Sequence, residues 1–236
     1  MKKILGPLRR GIEKYQMIKP GDRIAIGLSG GKDSTALLYA MKRFQYFSPV
    51  PFELEGITLD MGFDGMDLTP LVDLCARLKV PYTIKKTTIG PIIFEERQEK
   101  NPCSLCARMK RGALHDLAIE QGCRTVALGH HADDAIETFF LSLFYEGRIN
   151  TFSPVTYLDR KDITLIRPLI FVKERDIIGD PEMKDLPVIQ STCPANGYTK
   201  REDIKQMIKN LRKTIPDLDD RVLGAIQNKE QLNLWF

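Results

Sequence analysis

The sequence predicts an α/β protein built on a doubly wound parallel sheet, with a small helical extension at its C-terminal end. Short apolar runs alternate with stretches of helical periodicity from Arg23 to Tyr145, the signature of strand, crossover helix and strand. Helix-length segments, not two-residue turns, separate these runs, so successive strands run parallel with helices on both faces. Past residue 147 the alternation gives way to a hairpin pattern, Pro-punctuated chain and two further helices.

Residues 2–18 read as a basic amphipathic helix that stops at the turn Lys19-Pro20-Gly21-Asp22. Arg23–Leu28 is an apolar strand leading directly into the Gly-rich Ser29–Ser34. Helical spacing resumes over Thr35–Phe47, where Leu37, Leu38, Met41 and Phe44 share a face. A strand over Phe52–Asp60, a helix over Leu68–Leu78 and a strand over Pro81–Thr87 follow. A loop is expected around Ile89–Pro102, then a helix over Ser104–Gln121, a strand over Arg124–Gly129 and a helix over Asp133–Tyr145. Val155–Leu158 and Ile163–Ile166 read as a hairpin, and Lys173–Ile178 as a short helix. Pro181–Pro194 leads to helices near Thr199–Lys213 and Leu218–Lys229. Three regions are expected: a basic helix over 1–20, a core domain over 21–180 and a helical extension over 181–236. Crossovers between the parallel strands are expected to be right-handed.

The chain has 236 residues, 43% hydrophobic and 28% charged. That length buries a full core without disulfides or structural metals. No apolar run approaches the ~20 residues of a membrane helix, and the basic N-terminus carries Gly6-Pro7 and Arg9-Arg10 where a signal peptide needs an apolar stretch. A cytoplasmic location with reduced thiols is expected, with no membrane partner. Five cysteines, an odd number, argue against a closed disulfide framework. A net charge of +4 permits a nucleic-acid partner without demanding one.

Ser29-Gly30-Gly31-Lys32-Asp33-Ser34 sits between the first strand and its helix, where ligands of open parallel sheets collect. Two glycines let the backbone approach an anion, and the helix start offers free N–H groups. Ser29 and Ser34 add hydroxyl donors, Lys32 adds charge, and Asp33 suits a helix cap or a magnesium ion. It is not a Walker A loop, because Asp follows the Lys where that motif has Ser or Thr. A second cluster, Gly129-His130-His131-Ala132-Asp133-Asp134, ends the fourth strand at the same edge. Helix capping by Asp133 and Asp134 and a metal centre are both open readings. Convergence of two imidazoles and two carboxylates on the crevice of the first loop favours function.

Cys103-Ser104-Leu105-Cys106 places two thiols one helical turn apart, in a spacing that suits a metal ligand pair, a sulfur carrier or a redox pair. A zinc site would want a second pair. Cys193 is the remaining loop-borne thiol, whereas Cys75 and Cys123 read as packed hydrophobes. Three thiolates fit an iron–sulfur cluster with one open iron.

The loop at 29–34 resembles the SGGxDS loop of the PP-loop family, the N-type ATP pyrophosphatases, whose fold is the adenine nucleotide alpha hydrolase-like (HUP-type) sheet. Leu128–Arg148 (LGHHADDAIETFFLSLFYEGR) is similar to the matching segment of tRNA lysidine synthetases and tRNA thiolases. Asn101–Gly112, with its CSLC-x-R-x-K-R-G pattern, resembles the tRNA 2-thiocytidine synthetases. So do Ile166-Arg167-Pro168-Leu169 and the Lys-Glu-Arg-Asp-Ile run at 173–177. This resemblance implies ATP bound through Ser29, Gly30, Gly31, Lys32, Asp33 and Ser34, with Leu59 and Asp60 at the adenine and Gly129, Asp133 and Asp134 lining the site. It implies magnesium on Asp33 and Asp134, a 4Fe-4S cluster on Cys103, Cys106 and Cys193, and catalytic roles for Asp33 and the three cysteines.

The activity implied is adenylation of a pyrimidine C2 oxygen in tRNA, most directly cytidine in the anticodon loop, followed by exchange for sulfur. Partners implied are tRNA and a cysteine desulfurase or other sulfur donor, and a homodimer is allowed. The basic segments agree: residues 1–23 hold seven Lys/Arg against two acids, and Thr199–Lys213 six against two. One departure stands out. The family commonly has a second CxxC where this chain has Gln190-Ser191-Thr192-Cys193, and the chain is short at both ends, so part of a tRNA-binding surface is expected to be absent or supplied by a partner. Two other readings use the same residues. A lysidine-type or amidating PP-loop ligase would not need the cysteines, and a nucleotide-bound iron–sulfur or redox sensor would not release pyrophosphate.

Overall fold

The computed structural model describes residues 1–63, 65–97, 102–190, 192–193, 200–228 and 230. Among them six strands form one sheet: β1 (Asp22–Gly27), β2 (Phe52–Asp60), β3 (Tyr82–Lys86), β4 (Thr125–Ala127), β5 (Val155–Leu158) and β6 (Ile163–Ile166). Their order is β3-β2-β1-β4-β6-β5. All neighbours pair in parallel except the edge strand β5, antiparallel to β6. The chain steps outward from β1 to β2 and β3, then returns past β1 to β4. The winding therefore reverses between β1 and β4, and their carboxyl ends form the crevice in which such sheets hold ligands.

The helices are α1 (Lys2–Lys14), α2 (Lys32–Gln45), α3 (Thr69–Leu78), α4 (Ile89–Pro91), α5 (Pro102–Glu120), α6 (Ala132–Leu141), α7 (Glu174–Gly179), α8 (Pro181–Lys184), α9 (Lys200–Thr214) and α10 (Leu218–Gln227). Alternation along β1 divides the core. Ile24 and Ile26 face a cluster containing Ile4 and Leu8 of α1, Leu37 and Met41 of α2, Leu71 of α3 and Ile177 of α7. Ala25 faces the other side, where Leu117 and Ala118 of α5 pack with Ile57, Val126 and Ile163. The basic helix α1 thus packs into the main core: Ile4 and Leu8 are fully buried, each contributing about 1.5–3 kcal/mol. Its N-terminal amine is paired with Asp180. A third, smaller cluster joins Ile136 of α6 to Ile204, Ile208 and Leu218 of the C-terminal helices.

The strand Phe52–Asp60 and the hairpin fall where the alternation places them. The stretch expected as a loop from Ile89 instead forms α4 and a π-helical turn over Ile92–Glu96. Ile89 and Ile93, four residues apart, are both buried, and Phe94 packs edge-on to Phe63 at 5.7 Å. The helix expected to reach Tyr145 ends as α6 at Leu141 and widens into a π-turn over Ser142–Glu146, closed by Gly147 at φ 64°. Asn101, Ser191, Pro194, Thr199 and Lys229, which bound or belong to expected features, lie outside the described residues. Among the described residues no helix is long and apolar enough to cross a membrane.

Candidate active site

The Gly-rich loop is held by its own serines. Ser29 N–H donates to Ser34 Oγ at 3.2 Å, and Ser34 Oγ–H donates to Gly31 O at 2.9 Å. Thr58 Oγ1 donates to Leu28 O at 2.7 Å and fixes the loop to the end of β2. Gly30 adopts φ +83°, a conformation L side chains rarely take, and its carbonyl accepts from Ile189 N–H at 2.8 Å. Gly31 caps the fourteen-residue α2, whose N-terminal N–H groups face the crevice; that arrangement suits a phosphate. Gly129 makes the second close approach: a Cβ there would lie 2.9 Å from Asp33 O and 3.1 Å from Ser34 N. The missing side chain lets the exit of β4 rest directly on the loop.

His131 is the N-cap of α6 and forms a reciprocal capping box. Its backbone N–H donates to Asp134 Oδ2 at 2.9 Å, and its Nδ1 accepts from Asp134 N–H at 3.4 Å. With Nδ1 accepting, Nε2 carries the proton and is aimed at Asp33 Oδ1, 3.6 Å away. Asp33 also pairs with Lys32 Nζ at 2.9 Å, and Lys32 reaches Glu174 Oε1 at 2.7 Å. Burial works against the Lys32 ammonium, but Glu174 and Asp33 outweigh it and raise its pKa. Burial likewise opposes charge on Glu174, and Lys32 outweighs it to lower that pKa.

Asp133 is 6% exposed and both its oxygens are occupied: Oδ2 accepts from Glu174 N–H at 2.6 Å and Oδ1 from Arg212 Nη2 at 2.5 Å. Arg201 reaches Asp134 Oδ1 at 3.3 Å and Glu137 at 3.6 Å, and Lys205 reaches Glu174 at 3.3 Å. Three of the six cations between Thr199 and Lys213 therefore point inward onto carboxylates of α6 and α7. Leu59 is buried in the core, so only its backbone faces the crevice edge. Asp60 beside it closes a turn, accepting from Gly62 N–H at 3.0 Å through its side chain and from Thr87 N–H at 2.8 Å through its carbonyl.

All five cysteines are free. Cys75 and Cys123 are buried, and burial pushes their thiols up to about 12 and about 11. Cys103 is exposed, while Cys106 and Cys193 are half-buried. Burial also raises the Cys106 thiol; Lys110 opposes this, and Cys193 and Cys103 both add to it as neighbouring thiols. Ile189, four residues before Cys193, ties that segment to the Gly-rich loop. Among the described residues no group of three His, Cys, Asp or Glu side chains is assembled as a metal site. The donor chemistry of three soft thiols suits an iron–sulfur cluster.

Arg201 and Arg212 emerge as site residues only from the fold, as does the role of Glu174, and the fold also brings His130 and Arg167 together around Phe152 beside the crevice. Arg167 lies over the Phe152 ring at 4.9 Å, with the His130 ring 5.0 Å from the same ring. Arg167 Nη1 donates to Ser153 O at 2.6 Å and holds down the loop before β5. His130 Nδ1 and Arg167 Nε are buried without partners, and burial takes the His130 pKa down to about 4.

The model of the PP-loop domain family matches residues 7–205. A tRNA-cytidine(32) 2-sulfurtransferase of Pelobacter propionicus is 37% identical over 222 residues, covering 93% of this chain and 82% of the relative. The enzyme of that name from Geobacter metallireducens is 34% identical over 236 residues, covering 99% and 92%. Among solved structures, the U34-tRNA thiolase of Methanococcus maripaludis with its 4Fe-4S cluster superposes with a TM-score of 0.76 at 24% identity, covering 98% of this chain and 80% of that one, which shows the shared fold. The switch-point crevice, the serine-held glycine loop and the length of the matches converge: the chain belongs to the PP-loop family and, within it, to the tRNA-cytidine(32) 2-sulfurtransferases.

Proposed function

We propose that the protein is an ATP-dependent tRNA sulfurtransferase that converts a cytidine of the tRNA anticodon loop to 2-thiocytidine. The observation that carries this reading is the tether between two chemistries. The phosphate-type loop at Gly30 is hydrogen-bonded to Ile189, four residues before Cys193. A carbonyl oxygen on a pyrimidine is a poor leaving group. Attack of the cytidine C2 oxygen on the α-phosphorus of ATP forms the O–P bond, breaks the bond to the β-phosphate bridge and releases pyrophosphate. Sulfide, or the outer sulfur of a cysteine desulfurase's persulfide after two-electron reduction by a thiol reductant, then attacks C2, and AMP leaves with the original oxygen.

The residues divide this work by position. Ser29, Gly30, Gly31 and Ser34 cradle phosphates with backbone and hydroxyl donors, and Lys32 neutralises charge. Asp33, about one-third exposed, and Asp134, whose Oδ2 caps α6 while its Oδ1 meets Arg201 at 3.3 Å, are the carboxylates proposed for magnesium, Asp134 by exchanging Arg201 for the ion. Asp133, with both oxygens occupied, anchors α7 and α9 to α6. Leu59 and Asp60 offer the adenine a backbone edge, and Gly129 holds the loop in register. Cys103, Cys106 and Cys193 would hold a 4Fe-4S cluster, which when bound presents an iron free to carry sulfur. Incubation of anaerobically purified protein with ATP, magnesium, a sulfide source and an unmodified tRNA transcript tests the reading. AMP, pyrophosphate and 2-thiocytidine in equal amounts are expected. Release of AMP and pyrophosphate that is undiminished in a C103A/C106A/C193A variant, with no 2-thiocytidine formed by variant or wild type, would instead indicate a ligase that does not use the thiols.

A further inference from the structure

Arg201, Lys205 and Arg212 of α9 are committed to carboxylates; a group of cations beside the thiols is not. From Pro102 to His115, α5 contains no acidic residue, and the next two acids on it, Asp116 and Glu120, are taken by Lys161 and Lys85. Arg108, Lys110 and Arg111 are exposed, with no carboxylate partner among the described residues. Arg111 Nε donates to Ala107 O at 3.2 Å, which steadies its head along the helix. At 1.5 Å per residue, Arg108 and Arg111 lie about 3 and 7.5 Å along the axis beyond Cys106. The other basic helix, α9, turns Arg201, Lys205 and Arg212 inward, so its charge is largely spent on α6 and α7.

We infer that Arg108 and Arg111, with Lys110 between them, seat the phosphate backbone of the RNA strand that carries the reacting base. The strand then crosses the N-terminal half of α5, next to Cys103 and Cys106. Charge complementarity commits this face to a polyanion. Arg108 and Arg111, one helical turn apart on one face with no acid beside them, match successive phosphates, Lys110 adds charge on the neighbouring face toward Cys106, and phosphate contacts position a strand without reading its sequence. The inference rests on the RNA substrate of the proposed function.

The test is retention of an unmodified tRNA transcript carrying cytidine at position 32, measured between about 50 and 200 mM salt. R108A/R111A is expected to weaken binding about tenfold or more and to flatten the slope of log affinity against log salt by about 1.4, two single-strand phosphate contacts. The KM for tRNA rises correspondingly, while R108K/R111K keeps the wild-type slope. K209A/K213A, on the outer face of α9, removes the same charge elsewhere. Equal losses from the two alanine pairs, or an unchanged slope in R108A/R111A, overturn the assignment to α5. If wild-type protein thiolates the transcript while R108A/R111A does so with an unchanged KM for tRNA, this inference fails and the enzymatic reading stands. If wild-type protein neither binds nor thiolates the transcript, both fail together.

Discussion

Replacing Gly129 by Ala perturbs the contact that sets the phosphate loop against the sheet. The added Cβ would sit 2.9 Å from Asp33 O, 3.0 Å from Asp33 C and 3.1 Å from Ser34 N, about 0.5 Å inside ordinary contact at the closest atom. All three are backbone atoms at the start of α2, so no side chain can swing aside. Overpacking of this kind costs about 1–3 kcal/mol. The strain is relieved either by lifting the loop or by displacing the exit of β4. If the loop lifts, ATP must pull it back, and affinity falls by roughly 5- to 150-fold, at about 1.4 kcal/mol per factor of ten. If it does not, the cost falls on stability, at about 2–4 °C of melting temperature per kcal/mol for a chain of this size. Calorimetric titration with ATP and magnesium, together with thermal unfolding, reads both. Gly31 is the internal control. It has φ −74°, and its nearest atom to a Cβ is Ser29 Oγ at 3.5 Å, so G31A should retain the melting temperature. G129A with wild-type affinity and wild-type melting temperature would refute the contact argument, as would a G31A penalty of equal size.

Alkylation at pH 8 under native conditions should modify Cys103, Cys106 and Cys193 and spare Cys75 and Cys123, whose thiols are buried and pushed up to about 12 and about 11; intact mass and peptide mapping count the adducts. Labelling of Cys75 at the rate of Cys103 would contradict the division. D133A should lower stability by about 1–3 kcal/mol, because it strips a bonded carboxylate from Arg212 and from the start of α7. D33A, at a more exposed site, should cost less than about 1 kcal/mol while weakening magnesium–ATP; the reverse ranking in urea unfolding would exchange the two roles. His130 bears on acid stability. The unfolded chain takes up its proton near pH 6.5, whereas the native state does so only near about 4. Between those values the native state holds fewer protons, and stability falls as pH falls, by on the order of 1–3 kcal/mol in total. H130Q should remove that component of the pH dependence, and identical curves for variant and wild type would count against a neutral, buried imidazole.

Sheet and local motifs were legible because their signals are local. Ile24 and Ile26 alternate with Ala25 in the strand pattern, and the serines that curl the loop lie within five residues of each other. The short helix at Ile89 was not legible, because it depends on burial of Ile89 and Ile93 beneath α5 rather than on capping or propensity. The partners of the site were illegible for a related reason. Lys32 meets Glu174 and Asp133 meets Arg212 only after the chain has wound through the switch point. A signal for α9 was nevertheless present. Arg201, Lys205 and Arg212 fall on the same stripe as the buried Ile204 and Ile208. Cations interleaved with an apolar stripe point inward, whereas a count of charges along the segment suggests a nucleic-acid surface.

That inward stripe changes what an arriving nucleotide meets. Asp133, Asp134, Glu137 and Glu174 would repel a triphosphate if left bare, and burial together with Asp134 already raises the Glu137 pKa. Arg201, Lys205 and Arg212 cancel much of that charge, leaving Lys32 as the cation at the loop itself. Lys32 is held by Glu174, so on the proposed function a phosphate gains Lys32 only by replacing a carboxylate, an exchange of one anion for another. Lys205, also bonded to Glu174, offers the released carboxylate a second partner. This lowers the cost of the exchange and makes α9 part of nucleotide binding, although none of its residues reaches the phosphate loop.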